Sequence, residues 1–182
     1  MIEIHRLEDF SVETLNRLTG AYTCTETYRV RWEETDGAAA FTLERVALEQ
    51  PHSGRYDHID AAWVEEYLRP ADYAFGAYAG AELVGALFAS TRAWNGTLWV
   101  HDFHVAAAWR GKGVGRALMD HAAAAAKQAG LRAIVCETQN QNANAIQAYR
   151  ALGFRLEGVD ISYYSNEDYP DRGIAVFMKR RL

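Results

Sequence analysis

The sequence predicts an α/β fold built on a mixed sheet. An antiparallel meander comes first, a parallel β-α-β crossover follows, and helices cover both faces. Three observations lead there. Strand-like apolar runs succeed one another from Tyr73 to Ala79, Leu83 to Thr91 and Leu98 to Val105, with turn signals at Gly80 and Asn95-Gly96. A glycine-rich turn, Arg110-Gly111-Lys112-Gly113-Val114-Gly115, then joins the last run to an alanine-rich helical stretch. A short apolar strand, Leu131 to Cys136, follows that helix. Strand, helix and strand in this order imply parallel pairing with a right-handed crossover.

The other elements read in order. Ile2 to Arg6 suggests a short strand. Ser11 to Thr19 suggests a helix with Val12, Leu15 and Leu18 on one face and Gly20 as its stop. Tyr28 to Trp32 alternates as a half-buried strand should, Asp36-Gly37 marks a turn, and Phe41 to Leu48 is a weaker strand. Asp60 can cap a helix carrying Trp63, Val64, Tyr67 and Leu68, which ends before Pro70. After the glycine turn, Val114, Leu118, Ala122, Ala125 and Ala129 recur at helical spacing, and Gly130 ends the run. Ala145, Ile146, Tyr149 and Leu152 give another helix, ending at Gly153. Two last strands are expected at Ile161 to Tyr164 and Ile174 to Lys179. With 182 residues, 3 prolines, and neither repeat nor linker, residues 1–182 read as one domain.

Composition narrows the function. Formal net charge is -5 at pH 7. That argues against a nucleic-acid binder, which needs an exposed basic surface. Neither a signal-peptide pattern nor a run of about 20 apolar residues is found. No membrane partner is therefore expected. Cys24 and Cys136 lie far apart and outside any CxxC motif, as reduced thiols of a cytoplasmic protein would. Asn95-Gly96-Thr97 fits the glycosylation sequon but reads as a hairpin turn.

Glycines at a strand-to-helix turn let backbone N–H groups approach an anion. The helix behind adds its unpaired first-turn amides and the positive end of its dipole. The turn therefore reads as a phosphate or pyrophosphate site. A P-loop needs Gly-x-x-x-x-Gly-Lys-Ser/Thr, which does not occur here. A dinucleotide fingerprint needs Gly-x-Gly-x-x-Gly, and it fails at Arg116 or at Leu118. What remains is Arg/Gln-x-x-Gly-x-Gly/Ala, met by Arg110, Gly113 and Gly115. Downstream, Asn142, Ala145, Tyr149, Gly153 and Phe154 form Asn-x-x-Ala-x-x-x-Tyr-x-x-x-Gly-Phe. Both patterns together resemble the GNAT superfamily of acyl-CoA-dependent N-acyltransferases, over roughly residues 83 to 182.

The resemblance implies an N-acetyltransferase with acetyl-CoA as cofactor and coenzyme A as product. It implies that backbone amides of Gly111, Lys112, Gly113, Val114 and Gly115 hold the pyrophosphate, with charge from Arg110, Lys112 and Arg116. Phe103 and Val105 would offer backbone groups to the pantetheine arm, and the Phe103 N–H would polarise the acetyl carbonyl. Asn142 would contact pantetheine or position a water. Tyr149 matches the position of the acid that protonates the departing thiolate, close enough to touch the cofactor. The base stays open among Glu137, at a strand end, and Asp102 and His104, which share a strand face by period two. His101 and His104 are separated by an odd number, which puts them on opposite faces of a strand, so no metal site is expected.

The acceptor is less constrained. Glu26, Glu33, Glu34, Glu65, Glu66 and Asp160, with Tyr22, Tyr28, Trp32, Trp63, Tyr163 and Tyr164, suit a small cationic amine. Asp102, Glu137-Thr138-Gln139, Gly153-Phe154, Gly158-Val159-Asp160, Tyr164 and Tyr28-Arg29-Val30 are similar to streptothricin acetyltransferases, antibiotic-resistance enzymes that acetylate an amine of the β-lysine moiety. Val176-Phe177-Met178 departs from the more aromatic ending expected of that group. A protein or peptide N-acetyltransferase and a non-catalytic acyl-CoA-binding module stay open beside it, as do a longer acyl donor and a homodimer.

Overall fold

A computed structural model describes residues 1–55 and 59–182. In chain order the elements are β1 (Ile2–Arg6), α1 (Val12–Asn16), β2 (Ala21–Thr35), β3 (Ala38–Arg55), α2 (Ala61–Trp63), β4 (Tyr73–Ala79), β5 (Glu82–Arg92), β6 (Thr97–Val105), α3 (Val114–Gln128), β7 (Ala133–Gln139), α4 (Ala143–Ala151), β8 (Arg155–Asp160) and β9 (Ala175–Arg181). They fall into two compact units. The first comprises Met1–Ala21, Arg55–Val135 and Arg181–Leu182, and the second Tyr22–Gly54 and Cys136–Arg180.

The first unit holds the meander. Its strands run in the order β1-β4-β5-β6-β7. β1, β4, β5 and β6 pair antiparallel in turn. β6 and β7 pair parallel, Thr97–Trp99 against Ala133–Val135, with α3 as the crossover. Side-chain alternation then decides which helix covers which face. Ala86 and Phe88 of β5 meet Leu7, Leu15, Leu18, Val64 and Leu68 on the α1 and α2 side. On the other face Phe75 meets His121 of α3 edge-on at 4.6 Å. Helices thus cover both faces here, as the sequence predicts.

Both short helices depart from expectation. α1 ends at Asn16 because the Leu18 amide turns to the Leu15 carbonyl, 2.9 Å away, closing a tighter last turn. Leu15 and Leu18 are nevertheless buried, as their spacing predicts. α2 starts where Asp60 accepts the Trp63 amide at 2.7 Å. It then widens into one π-helical turn, Val64–Leu68, closed by the Arg69 amide on the Val64 carbonyl at 2.8 Å.

In the second unit β2 and β3 form a two-stranded sheet, 15 and 18 residues long. Both strands run well beyond the stretches at 28–32 and 41–48 that alternation picks out. Asn140, at the end of β7, joins β2 to the segment before β9. Its side chain donates to the Tyr28 carbonyl at 2.7 Å and accepts the Ile174 amide at 2.8 Å. Its main chain accepts the Tyr28 amide at 3.0 Å and donates to the Ile174 carbonyl at 2.9 Å. β8 pairs antiparallel with β9.

The strand expected at Ile161 to Tyr164 is not formed; β8 occupies residues 155–160 instead. The reason is competition for amides. Asp160 accepts the Ser162 amide at 3.0 Å, and Asp168 accepts those of Tyr164 and Ser165 at 2.8 and 3.0 Å. Carboxylates so placed replace a strand partner and favour a turn.

Candidate active site

The glycine turn lies in the first unit. Ala106 donates its amide to the Val84 carbonyl at 3.0 Å, one step beyond the Val105–Gly85 pair. In an antiparallel ladder hydrogen-bonded pairs alternate with open ones. The main-chain groups of Phe103 and Val105 therefore point away from β5. The Val105 carbonyl accepts Nε of Arg110 at 3.0 Å, so Arg110 folds the turn back onto the strand it leaves. Between them Ala107–Trp109 makes one 3-10 turn, and the Lys112 ammonium lies 5.2 Å from the centre of the Trp109 ring.

Gly111 has φ +73° and Gly113 φ +85°, in the left-handed region that side chains with a Cβ rarely adopt. Gly113 is the N-cap of α3, and no side chain caps it. The first helical bond runs from the Ala117 amide to the Gly113 carbonyl at 3.0 Å, so the amides of Val114 and Gly115 precede it. At Gly115 an added Cβ would stand 3.2 Å from Cζ of Phe103. The turn thus offers main-chain donors, a helix start without a cap and two basic side chains. That set fits a pyrophosphate.

On the opposite face of β6, Asp102 and His104 are brought together as period two predicts. Their side chains form an ion pair, with 13% and 12% of their surface exposed. The other Asp102 oxygen accepts Nε1 of Trp63 at 3.0 Å. Trp63 lies 4.3 Å from Tyr67 across the π-helical turn, and Tyr67 lies 6.1 Å from His101. The expectation that His101 and His104 point to opposite faces fails. A β-bulge at His101 breaks the register, with Phe88 opposite Asp102 but Ala89 opposite Val100. The extra residue resets the alternation, and His101 turns to Ser90, 2.9 Å away on the same side as Asp102. Burial and the neighbouring Arg92 push the His101 ring towards its neutral form. Among the described residues no group of three His, Cys, Asp or Glu side chains is placed to hold a metal.

Glu137 and Tyr149 belong to the second unit. Asn142 caps α4, its side-chain oxygen accepting the Ala145 amide at 3.1 Å, and only 3% of it is exposed. Gly153 ends that helix with φ +89°, and Phe154 packs 5.5 Å from the Tyr149 ring. Much of the Asn-to-Phe motif is therefore helix punctuation, and Tyr149 is the member with chemistry to offer. Its hydroxyl hydrogen-bonds the Cys136 thiol, whose burial pushes the thiol well above its ordinary range. Cys136 faces α4. Glu137, next along β7, faces the other way. There its carboxylate accepts the Tyr164 hydroxyl. Burial raises the Glu137 carboxyl, and the Tyr164 bond pulls it part of the way back.

Several of the acidic and aromatic residues expected at an acceptor site have partners close by. Glu26 and Glu65 pair with Arg45 and Arg69 on the surface. Tyr28 is buried, and its hydroxyl accepts from the Gln147 side chain at 2.6 Å. Trp32 stays partly exposed, stacked 6.5 Å from Phe41. Sequence reasoning missed the Trp63–Asp102 bond, the bulge at His101 and the Asp168 turn. Of these only the last had a signal, in the polar run Ser165-Asn166-Glu167-Asp168.

Comparison with known proteins adds to this geometry. The model of the acetyltransferase (GNAT) family matches residues 26–154. A streptothricin acetyltransferase of Streptomyces lavendulae is 35% identical over 158 residues, covering 84% of this chain and 80% of that protein. Streptothricin acetyltransferase A of Bacillus subtilis is 32% identical over 133 residues, 72% of this chain and 73% of that one. Among solved structures, a nourseothricin acetyltransferase superposes with TM-score 0.80 at 31% identity, covering 99% of this chain and 98% of that one. A Bacillus anthracis protein, crystallised with acetyl coenzyme A, shares the fold at TM-score 0.77 and 21% identity, each chain covered in full.

Proposed function

Because the chain belongs to the acetyltransferase (GNAT) family, we propose that it moves an acetyl group from acetyl-CoA to a primary amine of a small cationic molecule of the streptothricin kind. The observation that carries the reading is the start of α3. Gly111 and Gly113 hold left-handed backbone, and no side chain caps the helix that follows. The substrate class rests on relatives named for streptothricin that align with most of this chain. In this reading residues 1–182 act as one enzyme domain, in the cytoplasm, where both buried cysteines stay reduced.

Bound acetyl-CoA supplies an activated thioester. The residues of this chain do the rest. The amides from Gly111 to Gly115 hold the pyrophosphate, and Lys112 and Arg116 add charge. Arg110, held on the Val105 carbonyl, keeps the turn in shape. Phe103 offers its N–H on the edge that β5 does not use. Glu137 takes the proton of the attacking ammonium, directly or through water, and Tyr149 returns a proton to the departing sulfur. Of the three candidate bases, Glu137 is favoured because burial raises its carboxyl above the ordinary carboxylate range, while Asp102 and His104 are paired with each other. Asp102 is engaged at both oxygens. His104 is left the part of holding it.

The test is thiol release from acetyl-CoA against streptothricin, lysine, polyamines and peptides. Preference for streptothricin is the expected result. Turnover of peptides alone would overturn the substrate class, and binding of acetyl-CoA without turnover of any amine would make the chain a binding module. A second expected result concerns the cradle. Gly113→Val forces a β-branched residue into the left-handed region, at a cost of about 1–2 kcal/mol or more. It is expected to weaken acetyl-CoA binding about tenfold, read by calorimetry, with KM for the amine little changed.

A further inference from the structure

We infer that Tyr164 is a positioning residue for the reaction: its hydroxyl fixes the Glu137 carboxylate, and Asp168 folds the turn that delivers it. The inference rests on Glu137 being the base.

Tyr164 is not carried by a strand. It belongs to the connection between β8 and β9, where the main chain needs some other support. Asp168 provides it. That side chain is 3% exposed, and one carboxylate oxygen accepts the amides of both Tyr164 and Ser165 at 2.8 and 3.0 Å. The other accepts the Ser165 hydroxyl at 2.6 Å, and the Asp168 carbonyl accepts the Arg172 amide at 2.8 Å. The Ser165 hydroxyl foremost holds the Asp168 carboxyl below its ordinary range, so the turn keeps its acceptor wherever the enzyme would be assayed. Tyr163 buttresses the phenol from the side, edge-on to Tyr164 at 5.2 Å and to Phe177 of β9 at 5.4 Å. The result is a partly exposed phenol that donates to one oxygen of Glu137.

That contact has a chemical consequence. Burial shifts the Glu137 carboxyl towards its protonated form, and a protonated carboxyl cannot act as a base. The phenol donates to the ionised form and so favours it. Burial and the facing carboxylate keep the phenol itself protonated well above neutrality. The other titratable groups around the pair do not compete. Cys136 stays a neutral thiol and faces α4, where Tyr149 bonds it. Asp168 and Tyr163 act on the Tyr164 side of the contact. The second Glu137 oxygen is left to take the proton.

The experiment compares wild type, Tyr164→Phe, Glu137→Gln and the double variant, with the amine of the panel that turns over best. Tyr164→Phe keeps the ring and deletes the hydroxyl, and a melting curve is the check that it folds. The acidic limb of its kcat/KM profile is expected to move up by about one pH unit, with acetyl-CoA binding unchanged. Added to Glu137→Gln, the same change should cost nothing further. Asp168→Asn, which keeps the phenol but loosens its turn, should move the limb the same way. An unmoved limb in Tyr164→Phe, or an equal loss in both backgrounds, would reduce Tyr164 to a structural side chain while Glu137 remains the base. Full turnover and an intact limb in Glu137→Gln would overturn both.

Discussion

Glu137→Gln is expected to lower kcat/KM for amine acetylation by about 10²–10³-fold near neutral pH. The magnitude follows from the acceptor. A lysine-like ammonium has a pKa of about 10.4, so at neutral pH only about one molecule in 10³ carries the lone pair that attacks. A base that removes the proton within the complex recovers up to that factor. Gln keeps the size of Glu and still accepts the Tyr164 hydroxyl, so the fold and the acetyl-CoA site should stay intact. It cannot take a proton. The loss should therefore shrink as the assay pH approaches the pKa of the amine, where solution supplies the neutral form. The wild type should instead rise through the elevated Glu137 pKa and then level off. A loss that stays constant across that range would point to lost packing, and Asp102 or His104 would return as the candidate base.

Much of this site is legible in sequence because local rules specify it. Gly111 and Gly113 are turn glycines in sequence and have positive φ in the structure. Gly153 ends α4 where the sequence places the stop, whereas the capping role of Asn142 shows only in the structure. The meander from β4 to β6 follows from alternation and two turn signals. What sequence does not carry is contact between distant residues. Tyr164 and Glu137 stand 27 positions apart, and their pairing depends on a turn that Asp168 folds. The bulge at His101 is similar in kind. Nothing in Trp99-Val100-His101-Asp102 announces an extra residue, because a bulge is defined by the partner strand. The strand wrongly placed at Ile161 to Tyr164 has the same origin. Apolar and aromatic residues there suit a strand, but nearby carboxylates claim the amides a ladder would need.

Tyr149→Phe is expected to lower kcat about 10²-fold and to leave acetyl-CoA binding within about twofold, the lower end of what a general acid contributes. The lower end applies because a thiolate is a fair leaving group even without a proton. The substitution keeps the ring against Phe154 and removes one oxygen. That oxygen bonds the Cys136 thiol, and sulfur is a weak partner. Two readouts separate the acid role from a packing role. In the acid role kcat falls while KM for both substrates holds, because the interaction forms only in the transition state. The loss should also lessen when the leaving thiol is made more acidic, as with an electron-poor aryl thioester. Equal turnover by Tyr149→Phe would remove Tyr149 from the reaction and leave the departing thiolate to be protonated by water.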